Sequence, residues 1–300
     1  MEKTIIRIPC TSKIDVIAAS NQPVARCQDG DTVIFETMDC YDGAVSRDGT
    51  RDWEGRDLGK YMANPATGPL YVEGAELGDA LSVEILSIKT RGWGALGTGF
   101  GEHGFINYEG EYVMRAFEFE DGFVEIGGKK IAIEPMIGVI GVAPAGGGIP
   151  TVTPDSHGGN MDCNKIVEGS TILFPVAAKG GLLAMGDLHA LMGDGEVFEY
   201  GLETSGEVTV RVKVIKNAGL RQPTLVEADE NGRVMTIASA LTYEDAIRLA
   251  LESMYELLLS KGWDKTEAGM LMSMKCDLAI CQIVDPQVTV RAMMDKEFFR

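Results

Sequence analysis

The sequence predicts a mainly β protein: a β-sandwich or barrel-like body over residues 1–240 that carries the site, followed by a small α/β portion over residues 241–300. Apolar residues recur with period two through the first 240 positions, in roughly a dozen runs punctuated by Gly, Pro and Asp turns. Strands at that density, without helical stretches between them, argue against alternating βαβ units. A helical apolar period first appears after residue 240.

In chain order, "TVIFET" (residues 32–37) and "LSVEILSI" (residues 81–88) read as strands. In "FVEIGGKKIAI", Gly127 and Gly128 join two β-prone runs, and a Gly-Gly pair adopts the positive φ angles of a tight hairpin turn. "EVTVRVKVIK" puts Val208, Val210, Val212 and Val214 on one face and Thr209, Arg211 and Lys213 on the other. Thr242 is the expected N-cap of a long helix, with Asp245 three residues on, an apolar stripe of Ile247, Leu251, Met254 and Leu258, and an end near Gly262. A second helix is expected from Thr266, with Met270, Met272 and Met274 as core filler, and then "LAICQIV" as a buried strand ended by Pro286. No repeat or flexible linker marks the boundary near residue 240.

Charge narrows the function. Forty-five acidic against twenty-seven basic residues leave a net charge of −18, distributed along the chain, which opposes binding to nucleic acid or anionic lipid and accommodates a metal ion or a neutral or cationic small molecule. The N-terminal residues mix acid and base without a long apolar core, and no apolar run approaches the length that crosses a bilayer. The expectation is a soluble, cytoplasmic protein. The six cysteines are scattered without a C-x-x-C pair and are expected as reduced, buried thiols.

Common nucleotide and hydrolase motifs are missing. "GTGFGE" lacks the glycine spacing of a dinucleotide fingerprint, and "PAGGGIP" lacks the Lys-Ser/Thr of a phosphate loop. There is no G-x-S-x-G elbow, no H-E-x-x-H helix and no glycine-serine-rich tract of the Ser-Ser-Lys amidases.

Two of the three histidines sit in similar acidic surroundings: Asp155, His157 and Asp162 in "DSHGGNMD", and Asp187, His189, Asp194 and Glu196 in "GDLHALMGDGE". On an extended strand, residues two apart project to one side, so each Asp-x-His pair converges. Imidazole with carboxylate is a natural zinc donor set, and three protein ligands leave a position for water. A hydrogen-bonded His-Asp pair at a loop explains the same spacing, and the spacing does not separate the two. His103 has no partner at fixed spacing and reads as a solvated loop histidine.

"MIGVIGVAPAGG", "HGGNMD" and "GDLHALMGDGEV", together with "FETMDCYDG", "GPLYVEGAELGDALSVEI" and "DLAICQIVDP", resemble the blocks of the acetamidase/formamidase family in the same order over nearly the whole chain. The resemblance implies hydrolysis of the C–N bond of a short linear amide, a mainly β fold with an α/β C-terminal portion, and a homodimer. Position by position it implies Glu36, Asp39, His157, Asn160, Asp162, Asp187, His189, Asp194 and Glu196 as functional candidates. Asp187 and His189, with His157, Glu36, Asp39 or Asp162, are expected to hold a divalent ion, zinc rather than calcium. Glu196, Asp162 and Asp194 are expected as acid–base groups and Asn160 as an oxyanion donor. One alternative is a cysteine nucleophile, Cys163 with Lys165 and Glu134. Others are a calcium-holding β-sandwich binding module and an inactive scaffold.

Overall fold

A computed structural model describes residues 5–51, 62–98, 106 and 108–300; His103 and most of "GTGFGE" lie outside them. The protein is mainly β, with two helices near the C-terminus. Two nine-stranded sheets form the body, and neither closes into a barrel among the described residues.

The first sheet runs in the order Ile6–Ile8, Thr32–Thr37, Gly206–Ile215, Ala80–Thr90, Thr171–Pro175, Thr224–Val226, Arg233–Ala240, Val288–Asp295, Asp277–Gln282. Period-two patterning decides its faces. Val33, Phe35, Leu81, Val83, Ile85, Val208, Val210 and Val212 point inward, where they meet Ile137, Ile140, Leu183 and Met185 of the second sheet in one shared core. Ile88 stays buried although the register of Ala80–Thr90 shifts opposite Thr209 and Val210, because that bulge restores its side chain to the inner face.

The second sheet is built around Leu183–His189, buried along its whole length. On one side it pairs with Met136–Gly141, which pairs in turn with Gly158–Asn160; on the other it pairs with Ala66–Val72 near its start and Glu203–Thr204 at its end. The expected hairpin forms between Phe123–Ile126 and Lys129–Ala132, with Gly127 and Gly128 at φ 57° and 72°.

Helix α1 (Tyr243–Ser260) is capped by the Thr242 hydroxyl, which accepts from Asp245 N at 3.1 Å. Its buried stripe is Ala246, Ala250, Met254 and Leu258, with Ile247 and Leu251 at the flank; the two alanines let it lie close against Arg233–Ala240 and Val288–Asp295. Helix α2 (Lys265–Lys275) starts one residue earlier than expected, because Asp264 rather than Thr266 supplies the cap.

Three expectations need correction here. Met270 and Met274 point outward at 62% and 73% exposure, since residues two apart cannot share a helix face and Ala268 and Leu271 take the buried side. Asp277–Gln282 is an edge strand rather than a buried one, with Leu278 and Ile280 exposed. All six cysteines are free thiols, but only Cys27, Cys163 and Cys281 are buried as expected, while Cys10, Cys40 and Cys276 are half-buried. No described helix is long and apolar enough to cross a membrane. The first sheet runs without interruption across residue 240, since Arg233–Ala240 pairs along its whole length with Val288–Asp295.

Candidate active site

Asp187 and His189 project together from the end of Leu183–His189, where the His189 Nε2 stands 3.4 Å from Asp187 Oδ1 and 3.2 Å from Glu203 Oε1 on the paired strand. Asp162 follows the strand Gly158–Asn160 and brings Oδ1 to 3.9 Å from the same nitrogen. Gly138 makes this approach possible: a Cβ there would stand 2.5 Å from Asp162 Oδ1 and 2.6 Å from Asp187 Oδ2. Three of the acidic residues hold left-handed backbone, Asp162 at φ 43°, Asp187 at 56° and Glu196 at 49°.

A polar net fixes the rim. Asn64 Nδ2 donates to Asp187 Oδ2 at 3.0 Å and to Asn160 Oδ1 at 3.3 Å, and Asn160 Nδ2 donates to Asp285 Oδ2 at 2.8 Å. Asp285 is held in turn because Gln282 Oε1 accepts from the backbone N–H groups of Val284 and Asp285. These side chains, with Cys40, Tyr41, Tyr200 and Glu196, line a cavity of about 290 Å³, at the small end of the range for ligand sites.

Burial drives the electrostatics. It pushes Asp162, Glu196 and Asp285 well above the usual carboxylate range, reinforced by the charges of Asp285 on Asp162, of Asp162 on Glu196 and of Glu196 on Asp285. Burial also lifts Glu203 to about 7, with the His189 charge opposing. For His189 burial works downward, but the charges of Glu203 and Asp187 outweigh it and hold the imidazole well above its ordinary value. Burial likewise opposes the ionised form of Asp187, and the His189 charge with the Asn64 hydrogen bond overcomes it.

Among the described residues, two groups of side chains could hold a metal ion. Asp162, His189 and Glu196 each offer one ligand atom, all within 4.8 Å of one another, and so do Cys40, Asp187 and Glu203. The first group suits a divalent cation on its own terms: Asp162 Oδ1 and Oδ2 are both buried without a hydrogen-bond partner, and imidazole with carboxylate is a zinc-type donor set.

The structure brings together Asp162, Asp187, His189, Glu196 and Asn160. Four other candidates stand elsewhere. Glu36 alternates onto the outer face of Thr32–Thr37 with Thr32 and Ile34, where Arg7 Nη1 donates to it at 2.7 Å. Asp39 is buried but fully engaged, accepting from Gly43 N and from the Arg91 guanidinium that stacks on Trp93. Asp194 is clamped by two hydrogen bonds from the buried Arg291, at 2.9 and 2.6 Å. His157 is buried with neither ring nitrogen bonded, separated from Asn160 and Asp162 by Gly158 and Gly159 at positive φ. Asp155 accepts from Gln287 Nε2 and acts on His157 through its charge alone. The cysteine alternative does not assemble: Cys163 packs in the core, where a hydrogen bond with Cys281 lowers its thiol, while Glu134 is exposed.

Spacing missed Cys40, Asn64, Glu203 and Asp285. Cys40 and Asp285 do fall inside the family-like blocks "FETMDCYDG" and "DLAICQIVDP"; Asn64 and Glu203 fall in none.

Comparison with known proteins agrees with this architecture. An acetamidase structure from Bacillus halodurans superimposes with a TM-score of 0.91 at 40% identity, covering 98% of each chain. A predicted acetamidase/formamidase from Thermoanaerobacter tengcongensis gives 0.92 at 36% identity, covering 99% of this chain and 100% of that one. Among curated proteins, the formamidase of Methylophilus methylotrophus is 28% identical, with 67% of this chain and 64% of the relative covered, and the acetamidase of Mycolicibacterium smegmatis is 26% identical, with 64% and 63% covered. The chain thus spans less than two thirds of the length of these curated relatives. The profile of the Acetamidase/Formamidase family matches residues 20–147 and 145–300, and with these similarities the chain belongs to that family.

Proposed function

We propose that the protein hydrolyses the C–N bond of short linear amides such as formamide and acetamide, releasing ammonia and a carboxylate. The observation that carries this is the buried Asp162, His189 and Glu196 group, with both Asp162 oxygens unpartnered, beside a cavity of about 290 Å³. The names of the relatives support the same chemistry.

Asp162, His189 and Glu196 would hold a divalent cation, zinc by the donor set, which when bound supplies Lewis acidity to the amide carbonyl and to an attacking water. Asp285 carries the proton. Its carboxyl is held high by burial and the Glu196 charge, which makes it a stronger base than an ordinary carboxylate toward water and lets it hand the proton on to the leaving nitrogen. Asn160 orients Asp285 through its Nδ2, so one of its donors is already engaged and only the other is free for a developing oxyanion. Asn64 locks Asp187 against Asn160 and keeps the two sides of the cavity in register.

Ammonia release from formamide and acetamide, measured before and after chelation alongside metal analysis of the purified protein, tests this reading. Turnover that chelators remove and zinc restores is the expected result; full turnover without metal would sink it. A non-catalytic calcium module fits poorly with an imidazole at the centre of the cluster. The same reading takes the protein as a cytoplasmic homodimer, which light scattering tests in its oligomeric part.

A further inference from the structure

Four buried carboxyl groups, Asp162, Asp187, Glu196 and Glu203, gather at one imidazole, with half-buried Asp285 beside Asp162 and Glu196, and among the described residues only His189 forms ion pairs with any of them. The cationic side chains of the neighbouring segments are committed elsewhere: Arg91 to Asp39, Arg291 to Asp194 and Lys13 to Asp42.

The geometry points to a second cation site, built by Cys40, Asp187 and Glu203 beside the first, so that the cavity is made for a pair of divalent ions. Each of the three offers a ligand atom within 4.8 Å of the other two. On two of those residues an oxygen is buried without a hydrogen-bond partner, Asp187 Oδ1 and Glu203 Oε2, and each residue is 2% exposed. The two donor groups meet at His189, whose Nε2 lies 3.4 Å from Asp187 Oδ1, 3.2 Å from Glu203 Oε1 and 3.9 Å from Asp162 Oδ1.

The donor sets differ in kind, and that assigns the ion. Imidazole with two carboxylates accepts several divalent metals, whereas the Cys40 thiolate makes the second set softer and selects zinc over magnesium, calcium or manganese. On binding, the Cys40 S–H proton passes to solvent and the S–metal bond forms, with no change of oxidation state. The proposal rests on the cation assigned above to Asp162, His189 and Glu196.

The test is a zinc titration of chelator-stripped full-length protein against a chromophoric chelator, repeated with cobalt as a spectroscopic probe. Wild type is expected to bind two equivalents and to show a thiolate-to-cobalt charge-transfer band. Cys40→Ser should lose that band and weaken one equivalent at least tenfold while the other stays tight; Glu203→Gln, which leaves the thiol in place, should weaken the same equivalent. One equivalent in wild type with no thiolate band, unchanged in Cys40→Ser and lost in Glu196→Gln, would overturn the second site and leave the amidase reading standing. No zinc bound by wild type would overturn the resident cation and the second site together.

Discussion

His157 offers a sharp test of the fold's electrostatics. It is 2% exposed, both ring nitrogens lack partners, and burial pushes its imidazole from the ordinary 6.5 down to about 4 against a modest upward pull from Asp155. The folded protein therefore keeps His157 neutral at a pH where the unfolded chain protonates it. A folded value below the unfolded one means stability present above 6.5 and lost as pH falls, the loss levelling off below about 4. The gap corresponds to at most about 3 kcal/mol, and to about 2 kcal/mol at pH 5. Urea unfolding of wild type and His157→Gln at pH 7.5 and pH 5 isolates it, because the other titrating groups are common to both proteins. Wild type should lose about 2 kcal/mol more than the variant between those two pH values. Equal losses would refute a neutral, unpartnered His157.

Asp187→Asn should lower kcat/KM for acetamide by roughly 100-fold or more with an unchanged far-ultraviolet circular dichroism spectrum, whereas Glu36→Gln, on the outer face, should leave turnover near wild type. Gly138→Ala inserts a methyl group against the Asp162 and Asp187 carboxylates and should cost roughly 1–3 kcal/mol in urea together with a fall in kcat. Asp194→Ala leaves Arg291 buried without its partner and should destabilise by roughly 3 kcal/mol, read from the urea midpoint.

The strand pattern was legible because it is local. Val208, Val210 and Val212 declare their inward face through their own spacing, and the same rule applied to "TVIFET" already sends Glu36 outward with Thr32 and Ile34. Block resemblance put Glu36 among the ligands, whereas the phase of the strand puts it on the face where Arg7 meets it. Asp187 and His189 do stand together as their spacing suggested, although Asp187 reaches that position from left-handed rather than extended backbone. Glu203, Asn64 and Asp285 were not readable from spacing, because they reach the cavity from three separate segments: Glu203 by pairing with Leu183–His189, Asn64 by its bond to Asp187, and Asp285 from beyond the edge strand of the first sheet by its bond to Asn160. His157 misled for a related reason: its distance from Asp162 along the chain carries no information about two intervening glycines at positive φ.

The left-handed backbone at Asp162, Asp187 and Glu196 sets stability against function. An L-residue with a side chain in that region costs on the order of 1–2 kcal/mol, least for Asp and more for Glu, and glycine escapes the penalty. A descendant freed from selection for its chemistry would gain stability by exchanging these acids for glycine, Glu196 first. Glu196→Gly should accordingly abolish activity while raising the unfolding midpoint. Acids at these three positions thus trade backbone stability for carboxylates that converge on one imidazole.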